Sequence, residues 1–369
     1  MTLQCCCVIG PTKSGTTLMG CLLDSHPELA IFPLEVKFFT HWLERLRYED
    51  PTYAKLNRFF LEESKLRFLS ESRDATDIMN SGRIDPTCFN FQLLRRTMIE
   101  KEREGLGLDR DDLFIKYTLD IHSALPKCAP QSSNPTLFIS KEGNHGLPHS
   151  TEINNLFPTT KFIVLTRDPR DIFVSMKTIA EKKRDGVHTP TFKADISPMR
   201  YIVENPGKNV RAYEKLSSRV QTIQDVHFVK YESLVTDTVA EMQQVAKFLD
   251  IEFVDCLCKP TVFGRPWGGN ASNARQLPGV TRERSGKWER SLTKKEIRVL
   301  EFFLKGYLIK SGYQMSGLST RRMVVAWDIV LTNYNAWTVT WGDGIRPLKQ
   351  IAKNIFGTMA GLIACFRKS

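Results

Sequence analysis

The segment from Gly10 to Thr17, which reads Gly-Pro-Thr-Lys-Ser-Gly-Thr-Thr, limits what this chain can fold into more than any other. It follows the apolar run Cys5–Ile9, which predicts a buried strand, and it leads into a segment with its large apolar residues on one helical face. A glycine-bounded loop between a strand and a helix directs backbone N–H groups and the positive end of the helix dipole at one point. The sequence therefore predicts an anion-binding loop of the phosphate-binding type.

The position of the lysine distinguishes this loop from that of a nucleoside triphosphatase. A triphosphatase places lysine directly after the second glycine and then a Ser or Thr for magnesium. Here Thr16 follows Gly15, and Lys13 lies inside the loop. A lysine at that point can reach the bridging oxygen of a 5′-linked leaving group, but the magnesium clamp is missing. The alternative is a glycine-rich turn that binds nothing.

The net charge and the spacing of the cysteines and histidines limit which classes of ligand this chain can bind. The 369 residues carry a net charge of +11, which favours anionic ligands or surfaces. Nucleic acid is not predicted as a partner, because no RNP-like aromatic pattern, zinc-finger spacing or long basic run occurs. The nine cysteines form no C-x-x-C pair and the seven histidines show no metal-ligand spacing, so no metal is expected.

No secretory signal precedes the first strand, which favours reduced thiols and a cytoplasmic location.

Glu35 and Lys37 are the first candidates for chemistry beyond the loop. Because residues two apart in an extended segment point to one side, these two side chains are expected to share a face. A carboxylate beside a lysine can act as an acid/base pair, but a solvated ion pair at a strand end fits the same spacing. Two lone histidines, His122 and His145, are further candidate bases.

Further apolar runs have the length of strands. They are Leu113–Tyr117, Leu137–Ser140, Lys161–Thr166 and Val226–Lys230. Strands that alternate with amphipathic helices predict an α/β fold, here a P-loop-type parallel β-sheet covered by helices on both faces. In such a sheet ligands bind at the carboxyl ends of the strands. Lys141 and Tyr231 each follow one of these runs.

Arg167 and Ser175 flank the start of a helix that follows the predicted strand Lys161–Thr166. Asp168 is a natural N-cap and Pro169 a natural first helical residue. From these positions Arg167 and Ser175 can both grip one phosphate. Asp168 has the alternative role of a magnesium ligand, but the arginine before it and the proline after it favour capping.

The last third of the chain adds a basic loop and a capped helix. Arg284-Ser285-Gly286-Lys287 is the loop, and Thr293 with Glu296 forms a capping box at the start of the next helix. We expect residues 1–315 to form one α/β domain and residues 316–369 a C-terminal helical extension that packs on it. The alternative for this extension is a position in a membrane interface, with its Trp and Lys/Arg residues as anchors.

Three of these stretches, together with the pair Tyr231-Glu232, resemble the sulfotransferases that use 3′-phosphoadenosine 5′-phosphosulfate (PAPS). The loop from Gly10 to Thr17 is similar to the family's 5′-phosphosulfate loop, and Arg167 through Ser175 resembles its 3′-phosphate motif. Arg284-Ser285-Gly286-Lys287 is similar to its basic glycine loop, and Tyr231-Glu232 to the tyrosine-acid pair near the adenine. The resemblance runs in order from about residue 5 to residue 313.

This resemblance implies which residues bind the donor. They are Thr12, Lys13, Ser14, Gly15, Thr16, Thr17, Arg167, Ser175, Tyr231, Arg284, Ser285, Gly286 and Lys287. Lys13 is also expected to act in catalysis, by stabilising the charge that develops on the departing phosphate. No metal is required.

A second resemblance concerns the branch of the family. His26-Pro27-Glu28 followed by Glu35 to Phe39 is similar to the glycosaminoglycan-type and related bacterial sulfotransferases. A glutamate at the position of Glu35 is the catalytic base there, so the resemblance implies that Glu35 takes the acceptor's proton and that Lys37 orients it. Lys141 falls where that branch has a lysine, although the neighbouring residues differ from the branch's motif.

The implied reaction is in-line transfer of a sulfuryl group from PAPS to a hydroxyl or amine of a small-molecule or glycan acceptor. Positioning and charge stabilisation do most of the work in such a transfer. Two other classes of function stay open. One is a P-loop nucleotide kinase-like enzyme, which has the same fold and requires magnesium. The other is a non-catalytic binder of anions or nucleic acid, which uses the net charge of +11 alone and in which Glu35 is dispensable.

Overall fold

The structure of the protein is a computed structural model. It describes residues 4–31, 39–40, 52–63, 91–102, 108, 110–123, 135, 137–184, 225–262, 264–267, 269, 279–341, 359 and 362–363. The chain divides into two compact units. The first comprises Met1–Gly10, Gly15–Leu165 and Arg219–Arg282, and the second comprises Pro11–Ser14, Thr166–Ser218 and Glu283–Ser369. The expected division into residues 1–315 and 316–369 stays a prediction.

The first unit is built on a five-stranded sheet. Its strands are β1 (Gln4–Ile9), β2 (Leu29–Ile31), β3 (Leu137–Glu142), β4 (Lys161–Thr166) and β5 (Val226–Lys230). Their order is β2-β3-β1-β4-β5. β1 pairs in parallel with β3 and β4, and β2 pairs in parallel with β3. The predicted parallel α/β sheet is therefore confirmed, and the phosphate-type loop leaves the carboxyl end of its central strand.

Helices account for most of the remaining described residues. In chain order they are α1 (Thr16–Leu23), α2 (Tyr53–Asn57), α3 (Phe91–Glu100), α4 (Arg110–Ser123), α5 (Gly143–Leu156), α6 (Pro169–Arg184), α7 (Tyr231–Thr236), α8 (Thr238–Leu249), α9 (Trp288–Ser291), α10 (Lys294–Lys310) and α11 (Arg322–Trp341). A π-helical turn, Arg58–Glu63, continues α2, and a 3-10 turn, Asp255–Cys258, precedes a small hairpin of β6 (Thr261–Val262) and β7 (Arg265–Pro266).

The strand predicted at Leu113–Tyr117 is wrong, because those residues lie in the helix α4. Phe114, Tyr117 and Ile121 are all buried. Their spacing of three and four residues places them on one helical face. Taken alone, a five-residue apolar run fits a strand equally well, and only the continuation to Ile121 separates the two.

The three cysteines of β1 pack as small apolar residues, as the sequence indicates. Cys5, Cys6 and Cys7 are buried, and the latter two have no exposed surface. Burial raises the pKa of the Cys5 thiol to about 12, so it stays protonated at neutral pH. All described cysteines have free thiols.

Two predicted helix starts are confirmed in the second unit. α6 begins at Pro169, and the Asp168 carboxylate accepts a hydrogen bond of 2.9 Å from the backbone N–H of Arg170. α10 begins with the full capping box of Thr293 and Glu296. Each cap satisfies backbone donors that a helix leaves without a partner in its first turn.

Arg170 is the centre of a buried ionic network in the second unit. Its side chain is 2% exposed and forms ion pairs of 2.7 Å with Asp168 and 2.6 Å with Glu301. It also donates to the carbonyl of Gln314 and lies 3.7 Å from the centroid of the Trp288 ring. The network therefore ties the start of α6 to α9, to α10 and to the segment that follows α10.

α11 contacts α10 through a second ion pair. Arg298 of α10 donates from Nε and Nη2 to the carboxylate of Asp328, at 2.5 and 3.2 Å. Val325 and Ile329 are buried on the same side of α11 as Asp328. Among the described residues, no helix has the length and apolar character needed to cross a membrane.

Candidate functional site

Two residues of the loop have left-handed backbone conformations. Lys13 has a φ of 66° and Gly15 a φ of 104°. This conformation costs a residue other than glycine about 1–2 kcal/mol, so the loop holds the backbone of Lys13 in a strained conformation. At Gly15 a side chain is excluded as well, because a Cβ there would lie 2.7 Å from Cδ2 of Tyr231.

Tyr231 lies beside the loop, where its ring approaches Gly15 closely. Tyr231 is the first residue of α7, directly after β5, and its side chain is buried. The ring lies against the backbone of Gly15, so any side chain at position 15 would have to displace it. The structure therefore brings together two of the predicted donor-binding residues of the first unit.

Ser14 has a buried hydroxyl that lacks a partner. Its side chain has no exposed surface, and Oγ has no hydrogen-bond partner among the described residues. A buried hydroxyl without a partner costs about 1–3 kcal/mol relative to a satisfied one. Because the loop architecture directs donors at an anion, an acceptor oxygen of a phosphate or sulfate group would satisfy this hydroxyl.

Arg167 connects the loop to the basic segment of the second unit. Its Nη1 donates to the backbone carbonyl of Lys13 at 2.9 Å, and its Nη2 donates to the carbonyl of Arg284 at 2.6 Å. Arg167 is 4% exposed. Its backbone N–H donates a hydrogen bond to the Tyr307 hydroxyl, and that hydroxyl donates to the backbone carbonyl of Arg167. The structure thus gathers three predicted segments of the 369-residue chain around one guanidinium group.

Asp171 fixes the basic segment from the opposite side. Its two carboxylate oxygens accept hydrogen bonds from the backbone N–H of Gly286 at 2.7 Å and of Trp288 at 2.9 Å. Burial raises the pKa of Asp171, while the charge of Arg167 and the two amides lower it, and the net direction is upward. Ser175 follows four residues later on α6 and therefore lies on the same helical face as Asp171.

Lys141 reaches the end of the loop from β3. The lysine is 5% exposed, and its Nζ donates to the Thr17 hydroxyl at 2.9 Å. A buried ammonium is costly unless it is paired and hydrogen-bonded. Its contact with Thr17 therefore identifies Lys141 as a candidate site residue, although it was not among the residues predicted to bind the donor.

Glu142, the next residue, holds the backbone that follows Glu35 and Lys37. Its carboxylate accepts from the backbone N–H groups of Phe39 and Thr40 at 3.1 and 3.0 Å, and from the Thr40 hydroxyl. Glu142 has no exposed surface, and burial raises its pKa despite these donors. Its contacts fix the chain two residues beyond Lys37.

Some predicted residues lie outside the part of the chain that the structure describes. Glu35 and Lys37 are among them, and so is the side chain of His122. His145 is described and is exposed on α5. The catalytic assignments therefore stay predictions. The sequence patterns did not indicate Asp171 or Glu142 as site residues. For Asp171 the only signal is an acidic residue in the first turn of α6.

The fold and the loop together define an α/β protein with a loop of the phosphate-binding type after its central strand. The profile of the sulfotransferase family matches residues 6–255 of the chain. The chain belongs to this family.

A curated relative and two solved structures resemble this chain. A protein-tyrosine sulfotransferase of Drosophila melanogaster is 22% identical over 293 residues, which is 76% of this chain and 46% of that protein. The chain thus spans less than half the length of this relative. The sulfotransferase domain from the curacin biosynthetic pathway superposes with a TM-score of 0.52 at 18% identity, covering 85% of this chain and 99% of that domain. The sulfotransferase domain of the Synechococcus olefin synthase gives 0.46 at 16% identity, covering 84% and 95%. The curacin domain confirms the fold.

Proposed function

We propose that this protein transfers a sulfuryl group from PAPS to a hydroxyl or amine of a small-molecule or glycan acceptor. The observation that carries the proposal is the position of Arg167. Its guanidinium group binds the backbone of the loop at Lys13 and the backbone of the basic segment at Arg284. PAPS has a phosphosulfate at one end and a 3′-phosphate at the other, so a protein that binds it needs an anion-binding segment for each end.

The residues that are present fit this donor. The buried Ser14 hydroxyl lacks a partner among the described residues, and an oxygen of the 5′-phosphosulfate would accept from it. Lys13 lies in the same strained loop. The basic segment places Arg284 and Lys287 next to backbone that Asp171 holds in place. Positive charge at both places matches the charges of the donor.

Each group has a defined part in binding. The loop N–H groups, with Thr12, Ser14, Thr16 and Thr17, bind the 5′ end, and Lys13 stabilises the charge that develops on the departing phosphate. Ser175 and the segment from Arg284 to Lys287 hold the 3′-phosphate. The charge of Arg167 adds to that of this segment while its hydrogen bonds keep the two loops together. Tyr231 supports the loop at Gly15 and borders the adenine.

Glu35 is the proposed general base. When bound, PAPS supplies the activated sulfuryl group. Glu35 removes the proton from the acceptor hydroxyl or amine as attack proceeds, and Lys37 orients that carboxylate. Glu142 holds Phe39 and Thr40 and so fixes one end of the segment that carries both residues. A positioned general base contributes about a hundredfold to ten-thousandfold in rate.

The acceptor is the least constrained part of the proposal. A tyrosine side chain is the acceptor in the name of the Drosophila relative. A phenol is a hydroxyl acceptor, so a tyrosyl peptide belongs in an acceptor screen beside sugars, alcohols and amines. Sulfated product is detected by its mass.

Thermal unfolding with donor analogues tests the proposal. We expect the product nucleotide 3′-phosphoadenosine 5′-phosphate to raise the Tm without magnesium, because Lys13 and the basic segment supply the charge. Ligand at a hundred times its Kd stabilises by about 2.7 kcal/mol, which corresponds to a shift of roughly 5 °C for a chain of this size. ATP, which lacks the 3′-phosphate, should shift the Tm much less.

The matched variants are Lys13→Ala and Lys305→Ala. Lys305 is exposed on α10, outside the proposed site, so its replacement should keep the full shift. Lys13→Ala should remove most of it. Strong magnesium-dependent stabilisation by ATP, with no response to the bisphosphate, would identify a nucleotide kinase-like protein instead. A response to neither nucleotide would leave a non-catalytic anion binder.

Asp171→Asn should weaken donor binding by roughly tenfold. The amide keeps one acceptor oxygen but places an NH₂ group against the second backbone N–H, so Gly286 or Trp288 loses its partner. A hydrogen bond to a charged group is worth about 1.5–3 kcal/mol. Calorimetric titration with 3′-phosphoadenosine 5′-phosphate measures the change in affinity.

Asp237→Asn is the control for this variant. Asp237 caps α8 by accepting from the backbone N–H of Ala240 at 3.1 Å, and this contact is exposed. Its replacement should cost little stability and leave donor affinity unchanged. Equal donor affinity in the Asp171 and Asp237 variants would show that the basic segment does not bind the nucleotide.

A further inference from the structure

The first ten residues of α11 have an unusual distribution of polarity. The acidic residue Asp328 is 3% exposed, whereas Trp327 beside it is 64% exposed. Asp328 is turned towards α10, where Arg298 neutralises it. A surface helix normally directs its apolar stripe to the core and its charges to water. In this part of α11 the acidic side chain faces inward and the largest apolar side chain faces outward.

The outward apolar residues form one continuous face, which we name the outer face of α11. Its residues, with their exposed fractions, are Met323 (61%), Val324 (36%), Trp327 (64%), Val330 (37%) and Leu331 (36%). Their spacings of three and four residues place them along one side of the helix. Val325, Ala326 and Ile329 are buried, so the outer face is distinct from the face that packs on α10.

Exposed apolar residues concentrate in this part of the chain. Of the twelve large hydrophobic residues that are exposed among the described residues, seven lie between Met323 and Ile363. Single exposed apolar residues need no explanation, but a contiguous group marks an interaction surface. Met359 and Ile363 lie later in the same part of the chain and are also exposed, at 57% and 50%.

The charge of the residues around the outer face of α11 indicates which kind of partner surface it can bind. Arg321 and Arg322 are exposed at the start of α11. From Arg321 to Ser369 the sequence has seven basic and two acidic residues, and one of the acidic residues is the inward-facing Asp328. A helix with an apolar face, a tryptophan on that face and neighbouring basic residues is typical of segments that lie in the interface of an anionic membrane.

We propose that the outer face of α11 docks on the surface of an anionic membrane. The helix lies along the surface, because its other face is held on α10 by the Arg298–Asp328 ion pair and by buried apolar residues. Trp327 and Met323 enter the boundary between headgroups and acyl chains, and Arg321 and Arg322 contact anionic headgroups. The outer face of α11 contains none of the residues proposed to bind PAPS.

Vesicle co-sedimentation of the full chain tests the proposal. We expect binding to phosphatidylcholine vesicles that contain phosphatidylserine and much weaker binding to phosphatidylcholine alone. The double variant Met323→Ser/Trp327→Ser should lower the partition coefficient roughly tenfold or more, because it removes the two most exposed apolar side chains. Arg321→Gln/Arg322→Gln should remove most of the preference for the anionic vesicles.

Val239→Ser is the matched control. Val239 is 49% exposed on α8, in the first unit, so its replacement should leave vesicle binding unchanged. A melting curve for each variant shows that the fold is kept. Absence of vesicle binding by the unmodified chain, or binding that the double variant does not reduce, overturns the proposal. A dimer in light scattering that the double variant converts to monomer, without vesicle binding, would assign the face to contact between copies.

Discussion

Arg170→Met should lower the free energy of unfolding by about 3–5 kcal/mol, the cost of removing one partner from a buried ionic network. Burial alone would lower the pKa of Arg170, but its hydrogen bonds and charge contacts with Asp168 and Glu301 hold that pKa above its ordinary value. Methionine keeps much of the volume beside Trp288 but leaves both carboxylates buried without their cation. Denaturant unfolding monitored by circular dichroism measures the loss.

Lys177→Met is the control, because Lys177 pairs with Glu296 at a similar distance of 2.9 Å. The Lys177 side chain is 33% exposed, so water replaces most of what the pair provides. We expect this variant to lose no more than about 1 kcal/mol. If both variants lost the same free energy of unfolding, Arg170 would not be the centre of a buried ionic network.

The sequence predicts the segments that form local structure. β1 and β4 each follow from a buried apolar run in the sequence. The loop between β1 and α1 follows from a glycine pattern that stands between such a run and a helical face. The caps at Asp168 and Thr293 are equally local, because a capping side chain binds backbone N–H groups two or three residues away. Short-range chemistry of this kind is visible without any knowledge of the tertiary fold.

The contacts that hold the site together come from residues far apart in the chain. Asp171 binds the backbone of Gly286, 115 residues later, and Glu142 binds that of Phe39, 103 residues earlier. An acidic residue near a strand or helix end has many possible partners. Nothing in its immediate neighbours shows that it binds a distant backbone amide, so both residues were missed.

The sequence predicts the exposure of a side chain less well than it predicts secondary structure. Val239 follows the same apolar spacing in the sequence as Met242 and Leu249, yet it is 49% exposed while the other two are buried. It lies in the first turn of α8. Periodicity gives the direction of a side chain but not where the packing partner ends.

Arg167 shows a similar limit at the site itself. Its place after β4 and its separation from Ser175 identify it as a candidate phosphate ligand. The structure gives it a further part, because its guanidinium group holds the backbone of Lys13 and Arg284 at 2.9 and 2.6 Å. A motif predicts the type of residue that a site needs, whereas its hydrogen-bond partners follow only from the folded chain.

Glu35→Gln should reduce kcat on the order of a hundredfold or more while donor affinity is kept, because the amide is isosteric but cannot take the acceptor's proton. Initial rates with an acceptor that gives measurable turnover provide kcat. The Tm shift with 3′-phosphoadenosine 5′-phosphate, measured on the same preparation, reports donor binding. A loss of kcat with an unchanged Tm shift separates chemistry from binding.

The pH profile distinguishes loss of a base from a general disturbance of the site. With Glu35 in place, kcat/KM should fall on the acid side as the base becomes protonated, and this limb should disappear in Glu35→Gln. Glu241→Gln on α8, which is not among the residues of the proposed site, should retain both the rate and the acid limb. Near-normal turnover by Glu35→Gln would place the base elsewhere, and His122→Gln and His145→Gln would then show which histidine supplies it.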